Sequence, residues 1–260
     1  MRFIFVLFAL LANSLLFGHI QEAKSFEEIR QFARPDTLLV LDIDNTLICS
    51  KQAFGGDGWF WTQLEKAKKE GAAAQQAKDK VLTLWFQVQE ILEVKPVEEK
   101  TPFIIKELQT KKIPMIALTT RGGPVVWSTL RQLSSCDIDL TLTRPYNGNF
   151  IVEEIPQACF RDGILFSDNQ QKGKVLMAFL KQCQIKPACI VFINDKLSHL
   201  KEVEGSVEAA GIQFVGLRYS FLDDSVAHFR QDLADIEQKY YGKILDDKAA
   251  EILLKVPSSP

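Results

Sequence analysis

The sequence predicts an α/β fold in which a parallel β-sheet is covered by helices on both faces. Several short apolar runs lack polar alternation, which is typical of strands buried on both sides. Segments with helical periodicity lie between these runs, so strand and helix alternate along the chain. The predicted strands are residues 38–41, 113–118, 190–193 and 212–217, with a weaker one at 138–142; the predicted helices are 103–110, 125–133, 175–183 and 197–210.

The chain divides into four predicted parts. Residues 1–23 resemble a secretory leader, since Met1 and Arg2 precede an apolar run that ends in a polar stretch. The alternatives for this segment are an uncleaved membrane anchor or a buried N-terminal helix. The main α/β core is predicted to comprise residues 24–51 and 98–245, interrupted by a helical insertion at 52–97, and residues 246–260 form a C-terminal tail.

Two interruptions and one helix start are marked by local signals. The insertion has no strand pattern but contains two helix-like segments, 59–70 and 72–93. Asn147-Gly148 predicts a hairpin turn flanked by short strands within residues 146–168. The sequence Ser25-Phe26-Glu27-Glu28 has the pattern of a capping box, so a short helix is expected to start there.

Composition limits the classes of partner. The 260 residues carry a net charge of −2 and a pI near 6.0, which gives no electrostatic footprint for nucleic acid. No stable membrane insertion is expected unless the leader stays uncleaved. The five cysteines have neither disulfide-framework nor zinc-site spacing. Cys183 and Cys189 could pair, although burial as small apolar side chains is the simpler interpretation.

Four polar clusters follow predicted strands or start a helix. Ligands of open parallel sheets bind beyond the carboxyl ends of the strands, so these clusters are expected to meet there. Carboxylates suit a hard cation such as Mg²⁺, whereas a hydroxyl and an ammonium group suit phosphoryl oxygens. The clusters are Asp42, Asp44 and Thr46; Thr119, Thr120 and Arg121; Lys172; and Asn194 with Asp195.

Alternating acidic residues also begin a calcium-binding EF-hand loop. That loop requires glycine at its sixth position and glutamate at its twelfth. Counting from Asp42, these positions hold Leu47 and Ala53, so the calcium-loop interpretation fails.

The segment Leu41-Asp-Ile-Asp-Asn-Thr-Leu47 resembles the DxDx[TV] signature of the haloacid-dehalogenase superfamily, which consists mostly of phosphatases and phosphomutases. The later clusters follow in that superfamily's order, over about residues 36 to 240. Residues 55–60, 118–122 and 172–173 look similar to a bacterial branch that often carries export signals. The resemblance implies a Rossmann-like three-layer core with a helical cap after the first strand.

The resemblance also implies roles. Asp42 would attack phosphorus as a covalent nucleophile, and Asp44 would serve as general acid and base. Thr119 would bind a phosphoryl oxygen and Lys172 would offset negative charge. Asp195 would complete a Mg²⁺ site with Asp42 and the backbone carbonyl of Asp44.

Several assignments leave alternatives open. Thr120 could replace Thr119 by a register slip, and Lys174 competes with Lys172. Arg121 could bind phosphate or cap a loop. The superfamily often has two aspartates ending the fourth strand, where this chain has Asn194 and Asp195.

Three further residues have predicted roles at or near the site. His199 departs from the superfamily pattern, and together with Asn194 it could weaken the metal site. Asp57 and Trp59 lie near the site if the insertion is a cap, where they could determine substrate specificity. In the alternative, the aromatic residues of the insertion (Trp59, Trp61, Trp85 and Phe86) form its own core.

The expected function is Mg²⁺-dependent hydrolysis of small-molecule phosphomonoesters by an exported, periplasmic or secreted protein. A phosphomutase or phosphotransferase is the first alternative. A catalytically degenerate protein with a binding or host-interaction role is the second. The sequence gives no indication of the oligomeric state.

Overall fold

The computed structural model describes residues 19–240 and 246–255. Its centre is an eight-stranded sheet in the order β1-β10-β9-β2-β5-β8-β7-β6, and β3 and β4 form a separate two-stranded ribbon. The strands are β1 (His19–Ala23), β2 (Thr37–Leu41), β3 (Ile48–Ser50), β4 (Val94–Pro96), β5 (Met115–Thr119), β6 (Phe150–Ile151), β7 (Cys159–Arg161), β8 (Ile164–Phe166), β9 (Cys189–Asn194) and β10 (Gln213–Tyr219).

Nine α-helices and two short 3₁₀ helices lie in the described part of the chain. The α-helices are α1 (Asp57–Lys69), α2 (Ala74–Gln89), α3 (Thr101–Thr110), α4 (Val126–Ser135), α5 (Lys172–Gln182), α6 (Leu197–Ala209), α7 (Asp223–Ala227), α8 (Gln231–Lys239) and α9 (Asp247–Leu254). The 3₁₀ helices are Phe26–Gln31 and Gly123–Val125.

The first six strands in the sheet order are parallel, and only β7 and β6 add antiparallel pairs at one edge. Every residue of β2 is buried. Leu39 and Leu41 pack in one apolar cluster, whereas Leu38 and Val40 pack in a second. The first cluster includes residues of α3 and α4, and the second includes residues of α5 and α6. Helices therefore cover both faces of the sheet, as the apolar runs predict.

The four strong strand predictions and the four helix predictions are confirmed, with ends that differ by a few residues. The weak strand predicted at residues 138–142 is absent, and this segment is irregular. Ile138 and Leu140 are nonetheless buried in the first apolar cluster, which accounts for the apolar pattern without a strand.

The hairpin turn lies at Asp162-Gly163, between the antiparallel strands β7 and β8, rather than at Asn147-Gly148. Asp162 and Gly163 both have positive φ, 49° and 85°. Positive φ at two consecutive turn residues is the requirement of a tight hairpin, and Asp-Gly meets it as readily as Asn-Gly. A side chain at position 163 would also lie 2.3 Å from the carbonyl oxygen of Leu140.

The insertion contains the two predicted helices, α1 and α2, with the β3–β4 ribbon at its base. β4 is a strand that the sequence pattern did not indicate. The insertion has its own apolar cluster, in which Trp59 and Phe54 contact each other with ring centroids 5.0 Å apart. The backbone N–H of Phe54 donates to the buried Glu237 carboxylate of α8 at 2.7 Å. The insertion is thus attached to the C-terminal helices as well as to the core.

The chain before β2 also belongs to the sheet. β1 pairs in parallel with β10 through all five of its residues. The predicted leader boundary at residue 23 therefore includes this strand, while residues 1–18 of that prediction lie outside the described part. The capping box at Ser25 and Glu28 is confirmed, and the helix that it starts is 3₁₀. The predicted C-terminal tail contains α9, whose N-terminus is capped by Asp246.

Candidate functional site

The polar clusters meet where the strand order changes direction. From β2 the sheet continues to β5 and β8 on one side and to β9 and β10 on the other. Such a switch point leaves a crevice beyond the carboxyl ends of the central strands. Asp42 follows β2, Thr119 ends β5 and Asn194 ends β9, so all three lie at this crevice.

The loop after β2 is held in a tight conformation by its own backbone. The carbonyl oxygen of Ile43 accepts hydrogen bonds from the N–H groups of Leu47 and Ile48, at 2.9 and 3.1 Å. Asn45 has a φ of 57°, a left-handed conformation that asparagine tolerates better than most residues. The buried Thr46 hydroxyl accepts a hydrogen bond from the N–H of Asp195 at 3.2 Å. This contact connects the loops that follow β2 and β9.

Lys172 and Asp42 form a buried ion pair. Lys172 Nζ lies 2.7 Å from Asp42 Oδ1, and their side chains are 1% and 7% exposed. Lys174, the alternative, is exposed. Burial raises the pKa of Asp42, while the charge and hydrogen bond of Lys172 oppose that rise. The ammonium group is therefore what favours an ionised, nucleophilic carboxylate at this position.

The position of Lys172 depends on close packing between α5 and α6. Gly173 donates its N–H to the Glu202 carboxylate of α6 at 2.9 Å. A Cβ atom at Gly173 would lie 2.3 Å from Ser206 Oγ and 2.8 Å from the carbonyl oxygen of Glu202. Glycine is thus required for α5 to start this close to α6 and to direct Lys172 toward Asp42.

Asp44 is bound by Arg121 through two hydrogen bonds. Arg121 Nε and one terminal nitrogen donate to the two carboxylate oxygens at 2.9 and 2.7 Å. Burial raises the pKa of Asp44, but the charge and hydrogen bonds of Arg121 outweigh it, so the net pKa lies below its ordinary value. Asp44 is accordingly ionised in this conformation. Arg121 was predicted to bind phosphate or cap a loop; here it holds Asp44.

Arg121 also joins the core to the insertion. Its guanidinium donates to Thr129 and Gln132 of α4, at 2.9 and 2.7 Å, and to Gln89 of α2 at 3.3 Å. It lies 5.3 Å from the centre of the Trp85 ring, also on α2. The position of Asp44 is therefore coupled to that of α2.

Asp195 has the properties expected of a metal ligand. Its Oδ1 atom is buried and has no hydrogen-bond partner among the described residues, whereas Oδ2 accepts from the Asn45 side chain at 3.4 Å. Burial and the nearby negative charge of Asp42 raise the pKa of Asp195 to about 7. A buried, unpartnered carboxylate oxygen beside a second carboxylate suits a small divalent cation that prefers oxygen ligands.

Within the described residues, no group of three or more histidine, cysteine, aspartate or glutamate side chains could hold a metal ion. The predicted Mg²⁺ site has two side-chain carboxylates and one backbone carbonyl, so it has fewer side-chain ligands than such a group requires.

All five cysteines are unpaired.

Lys196 is a site residue that the sequence analysis missed. Its Nζ lies 2.8 Å from Oδ2 of Asp57, the first residue of α1. Asp57 was predicted to determine substrate specificity. Burial lowers the pKa of Lys196, but Asp57 and Asp195 outweigh this effect and raise it. Its position directly after Asp195 was the available signal. The ion pair links the β9 loop to the insertion on the side of the crevice opposite Arg121.

The other predicted site residues either support the site from buried positions or line the crevice. Thr119 is fully buried, and its hydroxyl accepts the N–H of Arg121 at 3.1 Å, whereas Thr120 lines the crevice. Asn194 is fully buried and accepts the N–H of Lys196 at 2.7 Å. His199 lines the crevice, and burial together with Lys172 and Lys196 lowers its pKa to about 3, so its ring is neutral near pH 7.

The crevice opens into a cavity of about 320 Å³ between the core and the insertion. Asp42 and Asp44 line its inner end, and four aromatic residues of the insertion line it further out: Phe60, Trp61, Trp85 and Phe86. Trp59 does not line this cavity; it is fully buried in the core of the insertion. The interpretation as a lid over the site thus applies to the four cavity-lining residues, whereas the interpretation as the insertion's own core applies to Trp59.

The fold and the site together define an α/β protein with a buried carboxylate–ammonium pair at the switch point of a mostly parallel sheet. A family model described as "Protein of unknown function (DUF2608)" matches residues 22–251, so the chain belongs to this family.

The chain is also similar to several bacterial proteins. It is 26% identical over 217 residues, 84% of this chain and 82% of the relative, to a Chlamydia pneumoniae protein named "Putative outer membrane protein". A Chlamydia trachomatis protein of the same name is 25% identical over 97% of both chains. An uncharacterised Rickettsia conorii protein is 25% identical over 60% of this chain and 55% of its own length. These names specify no reaction.

In the described part of the chain, no helix has the length and apolar character required to cross a membrane.

Proposed function

We propose that the protein is a Mg²⁺-dependent phosphomonoester hydrolase of the haloacid-dehalogenase type, in which the helical insertion acts as a cap. The observation that carries this proposal is the 2.7 Å contact between Lys172 and Asp42, two buried side chains that are 130 residues apart in the sequence. Burying both charges is costly, and a structural pair is often replaceable by apolar residues. In a site that holds a reactive carboxylate next to a phosphoryl group, however, this ion pair has a chemical role.

In the first step, Asp42 attacks phosphorus and the bond from phosphorus to the leaving oxygen breaks. The leaving oxygen takes a proton from Asp44, which releases the alcohol and leaves an aspartyl-phosphate at Asp42. Since Arg121 keeps Asp44 ionised, the substrate is expected to enter as a phosphate monoanion and to pass its proton to Asp44, which then gives that proton to the leaving oxygen. Lys172 offsets negative charge on Asp42 and on the phosphoryl group.

In the second step, the ionised Asp44 takes a proton from water, whose oxygen attacks phosphorus. The bond between Asp42 and phosphorus breaks, and inorganic phosphate leaves with that proton, which returns Asp44 to its ionised form. Asp42, Asp195 and the backbone carbonyl of Asp44 would hold Mg²⁺, which would supply positive charge that reduces repulsion between the carboxylate and the substrate. Thr120, which lines the crevice, is an available donor for a phosphoryl oxygen, whereas Arg121 already donates to Asp44 and to residues of α2 and α4.

The test is hydrolysis of 4-nitrophenyl phosphate by the purified full-length protein, with Mg²⁺ and with EDTA. Asp42→Asn should lower kcat at least about a thousandfold because it removes the covalent nucleophile. Asp36→Asn is the matched control, since Asp36 is an exposed carboxylate just before β2. Equal turnover by Asp42→Asn and the parent protein would refute the mechanism. Added acceptor alcohols would distinguish a hydrolase from a phosphotransferase by the product that forms.

The names of the chlamydial relatives support a location outside the cytoplasm, and we propose export for this protein as well. The leader should end before His19, because cleavage after Ala23 would remove β1 from the sheet. N-terminal sequencing of the exported protein would check this boundary.

A further inference from the structure

The outer part of the cavity presents aromatic surface that the insertion does not use for its own packing. The two apolar clusters of the insertion are built on Trp59, Val88, Leu64 and Val81, with Phe60 and Trp85 packed against them. Trp61 and Phe86 belong to neither cluster, although both line the cavity. Trp61 is 52% exposed.

The aromatic surface comes from both helices of the insertion. Trp61 contacts Phe60 edge to face within α1, with ring centroids 5.4 Å apart, and Phe86 contacts Trp85 in α2 at 5.9 Å. Phe60 and Trp85 are held by packing against the apolar clusters of the insertion. They therefore orient the rings of Trp61 and Phe86, which do not rotate freely. Two oriented rings on facing helices favour a planar aromatic group of a ligand.

Three cationic side chains among the described residues line the same cavity, and two of them, Arg121 and Lys196, pair with Asp44 and Asp57. Lys78 lines it, is partly buried, and makes no hydrogen bond or ion pair with any described residue. Nearby Lys80, in contrast, lies 3.9 Å from Glu70 and does not line the cavity. Positions 78, 82, 85 and 86 share one face of α2, which places Lys78 about 10 Å along the helix axis from Trp85.

We infer that the cavity selects phosphomonoesters whose leaving group is a planar aromatic ring system with an anionic substituent at its far end. The phosphoryl group lies at Asp42, the ring system contacts Trp61 and Phe86, and the anionic substituent pairs with Lys78. The volume of about 320 Å³ accommodates a ligand of that size but not a macromolecule. This inference rests on the proposed function for the identity of the reacting group.

The test measures binding rather than turnover, by calorimetry on the full-length protein with Mg²⁺ present. The probes are naphthylmethylphosphonate, its carboxylated derivative and butylphosphonate, none of which can be hydrolysed. The parent protein should bind the naphthyl probe at least about tenfold more tightly than the butyl probe. Trp61→Ala and Phe86→Ala should each weaken naphthyl binding about fivefold to tenfold and leave butyl binding unchanged.

Two control variants separate the inference from general effects. Trp127→Ala removes a tryptophan that is 71% exposed and lies outside the cavity, and it should change nothing. Lys78→Ala should weaken binding of the carboxylated probe severalfold without affecting the naphthyl probe that lacks the carboxylate, whereas Lys80→Ala should affect neither. Equal binding of naphthyl and butyl probes, absence of naphthyl binding, or no effect of Trp61→Ala would overturn the inference.

These outcomes are distinct from a failure of the proposed function. Selective naphthyl binding without turnover of any phosphomonoester would support the aromatic site and refute the hydrolase. Turnover that depends on Asp42 but is indifferent to Trp61, Phe86 and Lys78 would support the hydrolase and overturn the aromatic site.

Discussion

Replacement of Lys172 by methionine removes one charge of the buried pair with little change in side-chain length. At the observed 2.7 Å, two unit charges attract each other by about 6 kcal/mol for an effective dielectric constant of about 20. Burying the two ions costs several kcal/mol each, so the intact pair contributes little net stability. The single variant loses the attraction but still buries Asp42, which lies close to the other acidic side chains of the site.

Lys172→Met should therefore lower the free energy of unfolding by about 3–5 kcal/mol. Asp42→Asn should cost less, roughly 1–2 kcal/mol, because Asp44 and Asp195 remain to interact with the ammonium group. The double variant Asp42→Asn/Lys172→Met buries neither charge and should be more stable than Lys172→Met alone. The coupling energy between the two sites should be at least about 2 kcal/mol.

The assay is urea denaturation at pH 7.5 in EDTA, followed by circular dichroism and tryptophan fluorescence. Coincident transitions in the two signals would justify a two-state analysis. The reasoning is refuted if the two single effects add in the double variant, since additivity would mean that the 2.7 Å contact carries no energy. Activity cannot report this contact because Asp42→Asn is expected to be inactive in every background.

Two further predictions concern the supports of the site. Gly173→Ala should destabilise the protein by about 1–3 kcal/mol because its Cβ atom overlaps Ser206 and a backbone oxygen of α6. Gly205→Ala lies within α6, where the added Cβ atom contacts nothing, and should instead stabilise the protein by about 0.5–1 kcal/mol. Thermal melting measures both effects. Burial raises the pKa of Glu237 to about 8 from an ordinary value of 4.5, so its contribution to stability is greatest below pH 4.5 and declines as the pH rises toward 8. Glu237→Gln keeps an acceptor for Phe54 and should melt at a higher temperature than the parent protein at pH 9 but not at pH 4; the same difference at both pH values would contradict this assignment.

The sequence by itself determined the fold class and the location of the candidate site. Apolar runs without alternation are typical of buried strands, and such strands require helices on both faces of the sheet. The acidic pair at Asp42 and Asp44 directly follows one of these runs, so its position at a strand end follows from chain connectivity alone. The same reasoning placed Thr119 and Asp195 at neighbouring strand ends.

Only the tertiary structure decided which side chains make contact. Lys172 and Lys174 are equivalent in sequence, and the packing of α5 on α6 makes the first buried and the second exposed. Arg121 pairs with Asp44, 77 residues away, instead of remaining free for phosphate. No local pattern encodes this choice, because it depends on the strand register and on donors and acceptors from three other segments.

The aromatic residues of the insertion show the same division. Sequence indicated an aromatic-rich helical segment, but Trp59 and Trp61 differ by two positions and hence by about 200° around the helix. One of them must therefore face the core of the insertion when the other does not. Which one lines the cavity depends on how α1 docks against α2 and α8, and the structure assigns the cavity to Trp61.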